Sequence, residues 1–220
     1  MSTTARIHVP ATLNATRGAC GGVDPDGDVV ALAGNGDVTS ALHRLMQRHG
    51  AAVYRYCHEA LRDAALADDV HQQVFLEAFR DLPRFAGRSP VRIWLFAIAR
   101  HQVLDAARAR CRAPACIEGT EAFDIPDPRP SLGESLDDAL LREALVASLG
   151  ELSEPVRTAV LLRYQQGFTF EEMAKICSEK PCTLRARVVR ALPVLRARIE
   201  SRIRRSCVEL RLDGRDELCA

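Results

Sequence analysis

The sequence predicts an all-α fold of two small helical domains, residues 27–112 and 133–203, joined by a proline-rich acidic linker. Three observations carry that expectation. Apolar residues make up 47% of the chain but aromatic ones only 5%; strands draw on aromatic and β-branched side chains, so a set of mainly Leu, Val, Ala and Ile favours helices. Apolar residues also recur at three-to-four spacing. The formal charge is +1 overall, yet it divides by segment: residues 41–112 carry twelve basic against seven acidic side chains, residues 154–205 twelve against five, and residues 113–153 two against nine. Two basic helical modules thus flank an acidic connector, a layout suited to a polyanion contacted at two places.

Residues 1–26 show no sustained period and read as a flexible leader. No apolar run reaches bilayer length, and the N-terminus lacks the basic-then-apolar order of a signal peptide. A cytoplasmic chain without a membrane span is therefore expected. From Gly27 a short helix should end at Gly34-Asn35-Gly36. A longer helix follows, with Leu42, Leu45, Met46, His49, Val53 and Tyr56 on one side. The stretch Asp68 to Arg112 then reads as helix, turn, helix. Val70, Val74, Phe75, Ala78 and Phe79 stripe its first half, and Val91, Trp94, Leu95 and Ile98 its second. The basic break between them ends in Ser89-Pro90, an N-cap followed by proline at the first helical position.

Pro114, Pro126, Pro128 and Pro130 interrupt residues 113–132, which read as linker. Ser131 and Glu134 have capping-box spacing ahead of Leu136, Leu140, Leu141, Ala144, Leu145 and Leu149. Ser153-Glu154-Pro155 opens a further helix carrying Val160, Leu161 and Tyr164, ended by Gly167. Thr169 and Glu172 form a second capping box, before a short helix edged by Phe170, Met173, Ala174 and Cys177. After a break at Ser178–Lys180, Leu184, Val188 and Ala191 face one way, and Arg185, Ala186, Val189 and Arg190 another. Short helix, tight turn and basic helix make a helix-turn-helix. Pro193 is expected to kink or end that helix after Leu192, and residues 204–220 read as a C-terminal tail.

The runs GDVTSALHRLMQRHGAAVYRY, ADDVHQQVFLEAFRDLPRF, SPVRIWLFAIAR with Asp105 and Arg108, and LSEPVRTAVLLRYQQGFTFEEMAKI followed by TLRARVVRA resemble the extracytoplasmic-function (ECF) group of sigma factors. That group belongs to the sigma-70 family of bacterial RNA polymerase sigma factors, and the likeness covers roughly residues 27–202. It implies that the first domain binds core RNA polymerase and opens the −10 promoter element, while the second reads the −35 element. By this resemblance Asp68, Asp69, Gln72 and Phe75 lie on or support the polymerase-binding helix. Phe75 equally suits a core position, and the two aspartates suit helix N-terminal charges.

Arg84, Arg88, Arg92, Phe96, Arg100, His101 and Arg108 would meet −10 DNA. Opening the duplex requires a flipped base in a pocket and a single strand held by charge and ring stacking. Trp94 reads as a core anchor, and Phe96, off the buried stripe, as the base contact; Gly87 would permit close backbone approach. Thr183, Arg185, Ala186, Arg187, Val189 and Arg190 take the recognition-helix positions for −35 DNA, where arginine contacts guanine or phosphate. The implied partners are core RNA polymerase, promoter DNA and an anti-sigma factor, the last common in the family but marked by no residue here. The sequence departs from the family at His101, usually Asn, at His71 and Gln73, and at Ser178 and Glu179 in the turn.

Nothing in the sequence supports an enzyme: it has no Gly-rich phosphate loop and no nucleophile with an identifiable base. The rival reading is a stand-alone helix-turn-helix regulator, thiol- or metal-responsive, because eight cysteines are many for a reducing compartment. Cys111 and Cys116, like Cys177 and Cys182, have C-x4-C spacing, and Cys207 and Cys219 lie in the tail. Cys57 and Cys177 read as small apolar core residues. No metal site and no cofactor is assigned.

Overall fold

The computed structural model describes residues 25–112 and 136–216, with side chains over 25–112 and 140–206. The linker, Cys20, Cys116, Cys207, Cys219 and the Ser131 capping box fall outside the described side chains. Among the described residues eight α-helices follow in order: α1 Gly27–Gly34, α2 Val38–Leu61, α3 Ala64–Asp81, α4 Val91–Arg112, α5 Leu136–Gly150, α6 Glu154–Val160, α7 Phe170–Cys177 and α8 Pro181–Asp216. No strand occurs among the described residues. None of the described helices is long and apolar enough to cross a membrane.

Local chemistry sets the helix ends. Asp37 caps α2 by accepting from the Ser40 amide at 3.1 Å. Arg62, left-handed at φ 56°, stops α2, and Asp63 at once caps α3 by accepting from the Leu66 amide at 3.0 Å. Helix α3 runs into the 3₁₀ turn Leu82–Arg84, and a loop with Gly87 at φ 64° leads to α4. There the Pro90 carbonyl accepts from the Ile93 and Trp94 amides, so the proline closes the cap and the helix begins one residue later than expected. The Thr169–Glu172 capping box is present, with reciprocal bonds of 3.2 and 2.8 Å.

Arg44 and Arg48 clamp Asp28 of α1 at 2.5–2.7 Å, while His49 lies 2.9 Å from the buried Asp26. These pairs fix the short α1 on α2. Chiefly through the Arg48 guanidinium, then Arg44, the Asp28 carboxyl is held well below the usual carboxylate range.

Two expectations need correction here. Pro193 does not end its helix: α8 continues through it to Asp216, so the expected tail from residue 204 is helical over that length. An interior proline costs about 3 kcal/mol, but Leu184, Val188, Ala191 and Leu195 keep one buried face in register across it. Beyond the proline, Glu151 pairs with Arg198 at 3.2 Å and with Arg202, tying α8 to the end of α5.

The second correction concerns α4. Its buried residues are Val91, Ile93, Leu95, Phe96, Ile98, Ala99 and Val103, a wider arc than the single stripe expected. The reason is that α4 packs on α2 and α3 on one side and on α7 on the other. Phe96, expected as an outward base contact, has 0% exposure, whereas Trp94 is only half-buried and rests against Phe85, with ring centroids 5.0 Å apart. Phe96 is thus the fully buried ring of the two, and Trp94 packs against the edge of the core. In the same way Phe79 and Met46, placed on buried stripes by spacing, are 42% exposed.

Candidate functional site

Three surfaces carry the predicted residues. On α3, Asp68, Asp69 and Gln72 are exposed, but Phe75 is buried in the core, edge-on to His71 at 5.0 Å. Phe75 therefore supports the helix and cannot itself touch a partner. The half-buried His71 sits between the Tyr54 and Phe75 rings, its Nε2 3.2 Å from the Gly50 carbonyl. Burial, and then the Asp68 carboxylate beside it, push the Tyr54 hydroxyl above its ordinary range. Asp69, Gln72, Leu76 and Phe79 follow one another at spacings of three, four and three, so they share a face. Leu76 is 48% exposed and Phe79 42%. The sequence reading missed Leu76, and its signal was present: an apolar residue out of phase with the Val70–Val74 stripe.

The second surface is the loop and helix α4. Arg84 and Arg88 are exposed beside Gly87, whose φ of 64° a side chain would strain. Arg108 is exposed and, with His101, flanks Asp105 at 3.3 Å each. Of the two, Arg108 donates to the Asp105 carboxylate, and His101 lies beside it on the same face of α4. Arg92 and Arg100 are turned elsewhere. Arg92 donates to the Gln166 carbonyl and lies 4.2 Å from the centroid of the Phe168 ring and 5.7 Å from that of Phe96. Arg100 sits 3.9 Å from Glu179.

On α8, Thr183, Arg185, Val189 and Arg190 are exposed, and Ala186 and Arg187 half-buried. Thr183, Ala186, Arg187 and Arg190 line one groove with Ser153, Val156 and Arg198, while Arg185 leans over the Phe170 ring at 5.2 Å. These residues thus divide, with Thr183, Ala186, Arg187 and Arg190 along the groove and Arg185 on its flank. Ser178 takes the left-handed turn at φ 55° without glycine, and Glu179 next to it forks onto Arg187 at 2.8 and 3.1 Å. Arg187 is held by that carboxylate, which lifts its pKa further.

Spacing gave no sign of Gln166, Phe168 and Glu179, which act across the two halves of the chain. Their partners in the first half, Arg92, Phe96 and Arg100, lie more than 70 residues away, so only the tertiary fold brings them together. Among the described residues no group of three or more His, Cys, Asp or Glu side chains has metal-binding geometry. Cys57 and Cys177 are buried, and burial pushes their thiols up to about 12 and about 11.

Residues 45–113 match the family described as Sigma-70 region 2, and residues 142–192 the family described as Sigma-70, region 4. ECF RNA polymerase sigma factor SigC of Mycobacterium tuberculosis is 34% identical over 171 residues, spanning 77% of this chain and 88% of that protein. ECF RNA polymerase sigma factor ShbA of Streptomyces griseus is 33% identical, over 79% and 95%. Of solved structures, CnrH in complex with the cytosolic domain of CnrY aligns with a TM-score of 0.60 at 25% identity, covering 80% of this chain and 97% of that one. The sigma factor RpoE of Bartonella quintana, in complex with the anti-sigma factor NepR, shares the fold with a TM-score of 0.59 at 24% identity, over 72% and 96%.

Proposed function

The chain belongs to the sigma-70 family of RNA polymerase sigma factors, in its extracytoplasmic-function group, and from that membership we infer how its parts divide the work. It binds core RNA polymerase and directs promoter-specific initiation of transcription. The observation that carries this is the ordered match of both sigma-70 regions along one chain, each falling on its own group of helices. A stand-alone regulator would need only the second.

In this reading residues 27–112 form the polymerase-binding and −10 unit, and residues 133–203 the −35 unit. The Asp69, Gln72, Leu76 and Phe79 face of α3 docks on core polymerase, with Asp68 beside it. An apolar pair rimmed by acid and amide has the make-up of a protein interface rather than a nucleic-acid one. Arg84, Arg88 and Arg108 offer exposed positive charge to the opened −10 strand, and the half-buried Trp94 above Phe85 supplies the ring beside the loop. Arg92, Phe96 and Arg100 serve the same element only once α7 has moved off them. Thr183, Ala186, Arg187 and Arg190 enter the major groove at −35, with Arg185 and Val189 on the flank; one bidentate arginine–guanine pair there is worth about 1–3 kcal/mol of discrimination.

The chain supplies binding and placement, and we assign it no catalytic residue. Core polymerase places its work in the cytoplasm. Partners of the CnrY and NepR kind make an anti-sigma factor the expected regulator.

Gel filtration with purified core polymerase tests the reading. The wild-type chain should co-elute, and a Leu76→Glu, Phe79→Glu variant that keeps its helicity should not. A chain that binds duplex DNA alone and never associates with core polymerase would instead be the stand-alone regulator.

A further inference from the structure

We propose that α8 carries a second DNA contact beyond the −35 residues: Arg204 and Arg205, with Arg198 between them and the recognition residues, bind phosphates of the duplex that flanks the −35 element. This rests on the assignment of α8 to −35 DNA given above.

The match to Sigma-70, region 4 ends at residue 192, whereas α8 continues to Asp216. The extension keeps the register of the groove face. Arg187, Arg190, Val194 and Arg198 line the groove at spacings of three, four and four, and further steps of three and four lead to Ser201 and Arg205. Arg204 lies on the other side of the same line. Ala197 and Ser201 between the arginines are small, so the helix can approach a nucleic-acid backbone closely, and serine itself bonds to phosphate.

Charge sets this end of α8 apart. Residues 196–205 hold five arginines and one glutamate. Glu200 faces Arg196 at 2.8 Å and Arg204 at 4.0 Å, while Glu151 faces Arg198 at 3.2 Å and also Arg202. Chiefly the Arg202 hydrogen bond, with the fields of Arg198 and Arg205 behind it, holds the Glu151 carboxyl below its usual range. Two carboxylates thus answer five guanidiniums, and the surplus stands on a helix pinned through Arg198 and Arg202. Arg204 and Arg205 are exposed at its end. In residues 207–216 two arginines meet three acidic residues, so the positive surplus belongs to the stretch before them.

Length decides what that surplus can reach. Arg205 stands about 22 Å along the helix from Arg190, at 1.5 Å per residue, and the major groove is about 12 Å wide. A helix that places Arg190 at the base edges therefore carries Arg204 and Arg205 past the groove wall, to the sugar-phosphate backbone. Contacts there add affinity and orient the helix but read no sequence.

Holoenzyme reconstituted from core polymerase and the full chain tests this, on a linear duplex carrying the promoter that wild type selects from a randomised pool. Between about 50 and 200 mM salt, the slope of log affinity against log salt should fall by about 1.8 in Arg204→Gln, Arg205→Gln, or about 0.9 for each charge lost. Scrambling the −35 bases should leave that loss unchanged. Arg196→Gln removes a charge from the same end of α8, but nine residues from Arg205, on the opposite side of the helix. Its slope should match wild type. Ethylation interference should mark phosphates outside the −35 element with wild type, and the double variant should lose those marks.

An unchanged slope in the double variant, or an equal fall per charge in Arg196→Gln, would overturn the phosphate contact. So would a double variant that no longer co-elutes with core polymerase, because the stripe then serves the polymerase. A wild-type chain that co-elutes but selects no −35 sequence is a separate result: it strikes the −35 reading, and this contact falls with it.

Discussion

The guanidinium of Arg92 lies 4.2 Å from the centroid of the Phe168 ring, so a residue of α4 is stacked on the turn that precedes α7. The planar guanidinium can stack while it donates to the Gln166 carbonyl; an ammonium of the same charge cannot do both. Arg92→Lys should therefore lower stability by about 1–2 kcal/mol despite keeping its charge. Urea denaturation checks this, and a wild-type midpoint for the lysine variant would contradict it.

Neighbouring residues on α3 should separate stability from docking. Phe75 is in the core, so Phe75→Ala should cost about 3–5 kcal/mol of stability. Leu76→Ala, on the exposed face, should stay within about 0.5 kcal/mol yet weaken association with core polymerase. Thermal unfolding and a polymerase binding titration on the two variants would show the opposite pattern of effects, and parallel losses would refute it.

Much of this was legible locally. The Thr169 capping box, the Leu184, Val188 and Ala191 face and the burial of Cys57 and Cys177 all follow from spacing and residue type. What spacing could not show depends on covering helices. Phe96 looks outward on an isolated α4 and becomes buried between Tyr56 of α2 and Phe168 of the turn before α7, and Phe79 looks inward but is 42% exposed. Pro193 followed the rule for an isolated helix, where nothing offsets its cost; here the buried face continues through Leu195. Glu179 was noted only as a departure in the turn, although it joins arginines of two helices.

The cysteines should sort by burial. Cys111 and Cys182 are exposed and should be alkylated in the native chain at pH 8, while Cys57 and Cys177 stay protected until unfolding. Mass spectrometry of the alkylated peptides decides this. Because burial raises both buried thiols from an ordinary 9.0 to about 12 and about 11, their contribution to stability is intact below pH 9 and is lost as pH rises through those values. Replacing both with Ala should flatten that alkaline decline; an equally steep decline would show that other groups cause it.

His101 is half-buried and lies 3.3 Å from Asp105, which Arg108 also faces. His101→Asn should shift −10 base preference by about 1–3 kcal/mol at the position it meets, with no change at −35. Transcription from promoters varied at each −10 position would show it, and an identical preference would make the histidine incidental.

Run-off transcription by purified core polymerase on a pool of randomised promoters tests the central claim most directly. With the wild-type chain, the transcripts should select one −35 and one −10 sequence at a fixed spacing. Arg190→Ala should relax only the first, and Arg88→Ala should weaken initiation through the second. Initiation that is no more promoter-specific with the chain than with core polymerase alone would contradict the account.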